Sequence, residues 1–370
     1  MKFNPFENHI GLDISDFKIR FFQFHRIGST KTKINSFSEI AVPKGMIVSG
    51  EIMDPIKVGE LLKQLFDKPQ YGKPDSTYVN LSLPEKKVFL KTFTIPLVPD
   101  NELAGAIKWG IEQNIPVDMD DVYFDWQIIS GYNKKNKKKR EKSNSDKNNQ
   151  NYEKELSVFT SVASKDLVNS YSTVLKKIDL VPMNMENESI AIARCLIDQS
   201  ANITNPLILL DLGRSRINLM IYENNALQYT STIEVSGNEM TEIISKTMKL
   251  STVDAEKAKI ICGLDKRKAR GNVYKVLEPI MQRLIMHIRK NIEYYDNYVG
   301  TKKKIHSMLL TGSVSRMTNL AQFLQKELHH TCFIGDPWTN ITHIKDKNEK
   351  YSTDFFSYTT AIGLALRRFD

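Results

Sequence analysis

The chain has 370 residues, 41% hydrophobic and 26% charged, with 17 Gly, 13 Pro and a net charge of +9. That balance suits two domains or one large composite and excludes a collagen-like, low-complexity or wholly disordered chain. Nine Lys/Arg against three acids fall between Asn133 and Lys154, so one insert carries +6 of the charge and the rest is nearly neutral.

The predicted elements begin with a β-hairpin over 10–24, IGLDISDFKIRFFQF, turning after Asp13. Residues 76–95 read as strands around a turn at Pro84. Asp100 is placed to N-cap a helix with Leu103, Ile107 and Ile111 on one face. Residues 121–129 form a strand, 156–163 the returning strand, and the basic insert between them is too polar to bury, a disordered hairpin tip. After Ser164 comes a helical stripe of Leu167, Val168, Tyr171, Val174, Leu175 and Ile178. Pro206–Leu212 is a buried strand, followed by a hairpin of 216–222 and 226–235 around Asn224–Asn225. Ser236 with Glu239 makes a capping box for a helix carrying Met240, Ile243, Ile244 and Met248. A long amphipathic helix runs from Leu277 to Ile292. Met308–Leu310 is a short strand, Thr311–Gly312–Ser313 a turn that opens a helix, and SYTTAIGLALRRF (357–369) an apolar helix with a basic end suited to the macrodipole.

An internal repeat organises these elements. Residues 208–222, ILLDLGRSRINLMIY, align with 10–24 without a gap, placing Asp211 on Asp13, Gly213 on Ser15 and Arg216 on Lys18. Each copy opens one half of the chain, which indicates a duplicated fold with related halves.

Cys195, Cys262 and Cys332 are far apart, with no CxxC, and read as buried thiols of a reducing compartment. The start lacks the apolar core of a secretory signal, and no run approaches the roughly 18–20 apolar residues of a membrane helix, so the expected location is cytoplasmic. There is no GxxxxGK[ST], HExxH or GxSxG, so neither a P-loop enzyme, a metalloprotease nor a triad hydrolase is supported. Two hairpin turns, each preceded by an Asp, offer backbone N–H groups to phosphate oxygens, and the two carboxylates suit Mg²⁺ held through water. Gly312 allows close approach of a ligand, and Arg214 can pair with a phosphate. Singly, each turn reads as an ordinary strand connection. Together, in this order, they match the actin-like ATPase fold, an α/β architecture of two lobes related to ribonuclease H.

Within that fold the chain resembles the type IV pilus assembly protein PilM family, relatives of the cell-division protein FtsA, over nearly its whole length. GLDIS (11–15) is similar to the first phosphate motif and LLDLGRSRINLMI (209–221) to the second. ELAGAIKWGIEQNIPVDMDDVYFDW (102–126) resembles a PilM signature. ENESIAIAR (186–194) resembles the connecting helix, VSGNEMT (235–241) the start of the subdomain above the nucleotide, and AEKAK (255–259) the residues flanking the adenosine. LLTGSVSRMTNL (309–320) is similar to the adenosine motif and AIGLALR (361–367) to the C-terminal helix.

The resemblance implies ATP and Mg²⁺ as cofactors and at most a weak ATPase. It implies that Asp13 and Asp211 hold Mg²⁺ through water, that Lys18 and the loops at Ser15, Gly213 and Arg214 meet phosphates, and that Glu188 positions the attacking water. Gly237, Glu256 and Lys259 would line the ribose and base side, with Gly312 and Ser313 against the adenosine. Ser15 stands where the family has Gly, Arg214 where a small residue is usual, and Ser313–Val314 where it has Gly-Gly.

The same resemblance implies a first lobe of 1–79, 181–205 and 343–370. An FtsA/PilM-type extra subdomain would span 80–180, with its insert at 131–154. The second lobe would be 206–342, its upper part about 237–303. It implies a scaffold at the inner face of the cytoplasmic membrane that takes the N-terminal cytoplasmic peptide of a PilN-like membrane protein, alongside other pilus platform proteins and the pilus motor ATPases. The insert lacks interleaved aromatics, so no nucleic acid is expected; a solvated loop comes first and an anionic lipid contact second. Three rivals stand beside it. A nucleotide-free scaffold like the type II secretion protein GspL would have a degenerate cleft. An FtsA-like division protein would carry a terminal amphipathic helix, where this sequence ends at Asp370. A sugar-kinase-like phosphotransferase would need a substrate base in the cleft. Trp109, Trp126 and Trp338 read as packing residues.

Overall fold

The computed structural model describes residues 8–27, 31–130, 155–300, 303–341 and 355–367; the basic insert lies outside them. The chain opens with an antiparallel meander of β1 (Ile10–Ile14), β2 (Lys18–Ile27) and β3 (Lys31–Ala41). The short pair β4 (Ile47–Val48) and β5 (Glu51–Ile52) leads to helix α1 (Pro55–Asp67). Asp54 caps α1 by accepting from the Lys57 N–H at 3.1 Å, and Pro55 occupies the first turn, where no backbone donor is needed. β6 (Tyr78–Leu83) then pairs parallel with β1.

Next comes a separate antiparallel sheet of β7 (Val88–Pro96), β8 (Val122–Ser130) and β9 (Glu155–Ser164), in the order β7-β9-β8. Helix α2 (Asp100–Asn114) precedes β8 and buries Leu103, Ile107 and Ile111 against this sheet, as their spacing predicts. Ser164 caps α3 (Lys165–Lys176), and β10 (Val181–Asn187) returns to lie parallel to β6. The first five-stranded sheet therefore has the order β10-β6-β1-β2-β3. Asn187 accepts from the Ser189 N–H at 2.7 Å and caps α4 (Glu188–Leu196).

The second half repeats the pattern. β11 (Leu207–Leu212), β12 (Ile217–Glu223) and β13 (Ala226–Ile233) form a meander. Its turn has Asn224 and Asn225 at φ 53° and 59°, the left-handed pair that a tight hairpin requires. Helices α5 (Gly237–Met248), α6 (Thr252–Ile261) and α7 (Asn272–Tyr298) follow. β14 (Ser307–Thr311), α8 (Leu320–Leu328) and β15 (Thr331–Ile334) complete a sheet of order β13-β12-β11-β14-β15, the same topology as the first. α9 (Thr359–Ala365) is the last described helix, and it and α4 pack between the sheets, where Phe22 and Phe37 of one meet Leu209 and Met220 of the other around Ile192 and Ile362. Among the described residues no helix is long and apolar enough to cross a membrane.

Several expectations are corrected. Pro99, not Asp100, occupies the N-cap position of α2, with no side-chain cap bond, and Asp100 sits in the first turn, where its charge still complements the helix dipole. Gly312 opens no helix: turns run to Asn319 before α8 begins. The last helix stops at Ala365, and its basic end pairs instead with Glu186 through Arg367. The division at 79/80 falls inside β6, and Leu167, Tyr171, Val174 and Leu175 of α3 pack on the same core as β1 and α1. Trp109 is 59% exposed rather than packed, whereas Trp338 is buried. Cys195 and Cys332 are buried; Cys262 is only half-buried.

Candidate functional site

The duplicated hairpins place Asp13 and Asp211 at equivalent strand ends, and both line one cleft between the sheets. The cleft encloses about 100 Å³, room for a few waters or a phosphate-sized group. Its other walls include Ser15, Lys18, Glu188, Gly213, Arg214, Gly312 and Ser313, so most of the sequence-derived site comes together.

The two aspartates differ in their partners. Asp13 is buried and accepts from Ser82 Oγ at 3.0 Å, with Arg20 at 3.8 Å. Burial raises its carboxyl, and Arg20 opposes that rise. The Asp211 carboxylate makes no hydrogen bond or ion pair among the described residues, and burial pushes it up to about 6 against the pull of Arg216. Glu188 begins α4, and its Oε1 accepts from Arg216 Nη2 at 2.8 Å while Asn218 Nδ2 lies 3.4 Å from Oε2. Burial raises Glu188 as well, and the Arg216 guanidinium works the other way.

The loops show how each turn is made. Ser15 closes the first turn on itself: its N–H and its hydroxyl donate to the Lys18 carbonyl at 3.0 and 2.8 Å. In the second turn the Gly213 and Arg214 carbonyls accept from the Gly237 and Asn238 N–H groups at 3.0 and 2.8 Å, which ties the turn to the start of α5. Arg214, on the cleft wall like Phe17, lies over the Phe17 ring at 5.9 Å, and its Nε is buried without a partner among the described residues. Gly312 has φ +85°, and a Cβ there would lie 2.5 Å from Asp211 Oδ1. Only glycine lets the third turn lie against that carboxylate.

Other predicted residues stand apart. Lys18 reaches the cleft wall but is ion-paired with Glu39 on β3. Lys259 is fully buried and donates to the Gly237 carbonyl at 2.9 Å and to Thr241 Oγ1 and Glu256 Oε2, both at 2.8 Å. This Gly237–Glu256–Lys259 cluster lies behind the second turn, not on the cleft wall. The sequence reading missed Arg20, Arg216, Asn218 and Glu85, whose buried carboxylate accepts from Ser189 Oγ at 2.6 Å. Arg216 was within reach, because the repeat aligns it with Lys18. Glu85 carries no local signal.

No three acids, His or Cys among the described residues are grouped to ligate a metal directly. The donor set still fits a hydrated divalent cation. Two carboxylates, one of them unpaired and raised by burial, face the same space, and hard oxygen donors suit Mg²⁺ with its waters retained. The orphaned Arg214 Nε, for its part, fits a phosphate oxygen.

The model of the family described as type IV pilus assembly protein PilM matches residues 11–369. The FtsA of Neisseria meningitidis serogroup B is 27% identical over 174 residues, and that of Escherichia coli K12 25% over 179. Each match covers 42% of this chain and 41% of the relative, so the aligned part spans about two fifths of those proteins. Among solved structures, a PilM–PilN type IV pilus biogenesis complex superposes with a TM-score of 0.76 at 19% identity, over 97% of both chains. The ethanolamine utilization protein EutJ of Carboxydothermus hydrogenoformans reaches 0.55 at 12% identity, covering 97% of this chain and 89% of its own. MreB5 of Spiroplasma citri bound to ADP reaches 0.50 at 12% identity, over 97% and 95%. These neighbours establish the actin-like fold. Matched over residues 11–369, from the first strand to beyond the last helix, this chain belongs to the type IV pilus assembly protein PilM family.

Proposed function

We propose that the chain is a cytoplasmic scaffold at the inner face of the membrane that captures the N-terminal tail of a PilN-like membrane protein, with nucleotide in the cleft biasing that capture. The observation that carries this reading is the superposition on the PilM–PilN complex over 97% of both chains. The three-stranded unit supports it: among the described residues its outer strands β7 and β8 each pair with β9 alone, and Phe89, Tyr123 and Phe124 stand exposed on them. An unpaired edge flanked by apolar side chains suits an extended peptide, with backbone pairing for affinity and pockets for specificity.

In the cleft, Asp13 and Asp211 would hold hydrated Mg²⁺, and Arg214, Gly213 and Ser15 would face the phosphates. The metal would screen phosphate charge when bound. Glu188 orients a water only when Arg216 is elsewhere, so turnover is expected to be slow. The small enclosed volume, and the Arg214–Phe17 contact on its wall, favour a second reading, a scaffold that works without nucleotide.

Calorimetric titration of the full chain with a PilN-like tail peptide tests the first reading. Micromolar binding is expected, roughly −8 kcal/mol, a strength common for peptide docking. Absence of heat, with no competition against a labelled tail, would contradict it.

A further inference from the structure

Glu188 and Arg216 belong to opposite halves of the molecule. Glu188 opens α4 directly after β10 of the first sheet, and Arg216 immediately precedes β12 of the second. Their contact at 2.8 Å is largely buried, with side-chain exposures of 9% and 13%. The repeat makes the pairing notable. Lys18, the counterpart of Arg216, is held within its own sheet by Glu39. Of the two repeat cations, only Arg216 bridges the cleft. Arg216 shares the cleft wall with Arg214, whose Nε is buried and unpartnered. A phosphoryl group entering here meets one guanidinium with a free N–H and a second already bound to a carboxylate. A phosphate placed beside buried Glu188 is repelled under weak screening, so Arg216 cannot serve both anions at full strength.

We infer that the Arg216–Glu188 pair is a latch between the two halves, opened when an incoming phosphoryl group takes Arg216 from Glu188. The inference rests on the nucleotide-binding reading above. Release removes one of the holds on the first turn of α4, beside the Asn187 cap and the Ser189–Glu85 bond, so phosphate occupancy is transmitted to the helix that packs between both sheets.

The test titrates the full chain with metal-free pyrophosphate and with Mg·ADP. Glu188→Gln should bind both at least about fivefold more tightly than the parent, since the competitor for Arg216 is gone. Arg216→Gln should bind more weakly, and the double variant should show no gain over Arg216→Gln. In the unliganded protein, the double variant should melt above either single, because removing one partner strands a buried charge. In the unmutated chain, pyrophosphate should speed hydrogen exchange at residues 187–192, a readout independent of any variant's folding. Unchanged exchange there, or a Glu188→Gln gain that is absent or that survives without Arg216, would overturn the latch while leaving nucleotide binding standing. No binding by any protein, the parent included, would overturn the latch and the nucleotide reading together.

Discussion

Asp211 and Gly312 define the site at the residue scale, one as an unpaired carboxylate and the other as the turn lying against it. Gly312→Ala puts a Cβ on Asp211 Oδ1 in a left-handed backbone. It should cost about 1–3 kcal/mol of stability by thermal unfolding and lower Mg·ATP affinity at least tenfold by calorimetry. The raised Asp211 carboxyl sets a pH dependence. Its folded value of about 6 lies above the ordinary 3.8, so between these pH values the folded chain holds more protons than the unfolded one. Stability therefore falls as pH rises through that window, and the penalty is complete above it. Asp211→Asn should raise the melting temperature at pH 7.5, with the gain gone below about pH 4. Binding runs the opposite way: a divalent cation needs the ionised form, so Mg²⁺-dependent affinity should weaken as pH drops below about 6. The aspartates, Gly213 and Gly312 were legible because each marks a turn with its own steric signature. The pairings of Lys18 with Glu39 and Arg216 with Glu188 were not, since residues 21 and 28 positions apart meet only through the sheets.

At the element scale, the central helices are set by close approach. A Cβ on Gly363 would lie 1.9 Å from the Ala191 carbonyl, so α9 rests directly on α4. Gly363→Ala should push these helices apart, at about 1–3 kcal/mol by denaturant unfolding, and shift Glu188 with them. Asn187→Ala removes the α4 cap and should cost about 1 kcal/mol by the same measurement. The strands of both meanders followed from alternation and turn residues. α1 carried its own signal, Asp54 followed by Pro55, which the sequence reading passed over. The start of α8 could not be read locally: the eight residues from Gly312 to Asn319 are held by the Leu212 carbonyl and by Ile260, partners remote in sequence.

At the scale of the whole molecule, the repeat of GLDIS (11–15) in LLDLG (209–213) expanded into two sheets of identical strand order. Duplication was legible because both copies kept the Asp and the turn. The docking of α3 was not, because it follows β9 directly in the chain yet packs on the first sheet's core. Two halves joined through α4 and α9, with a charged cleft between them, give a cleft ligand a route to a partner: under the proposed function it changes how the halves sit, and a partner bound to one arrangement feels that change. The most direct measurement is calorimetry of a PilN-like tail peptide with the full chain, with and without Mg·ATP, repeated on Asp211→Ala. The tail should bind at micromolar strength, nucleotide should shift that affinity at least about fivefold, and Asp211→Ala should bind the tail without the shift. A chain that takes up no tail in either condition would contradict the scaffold role itself.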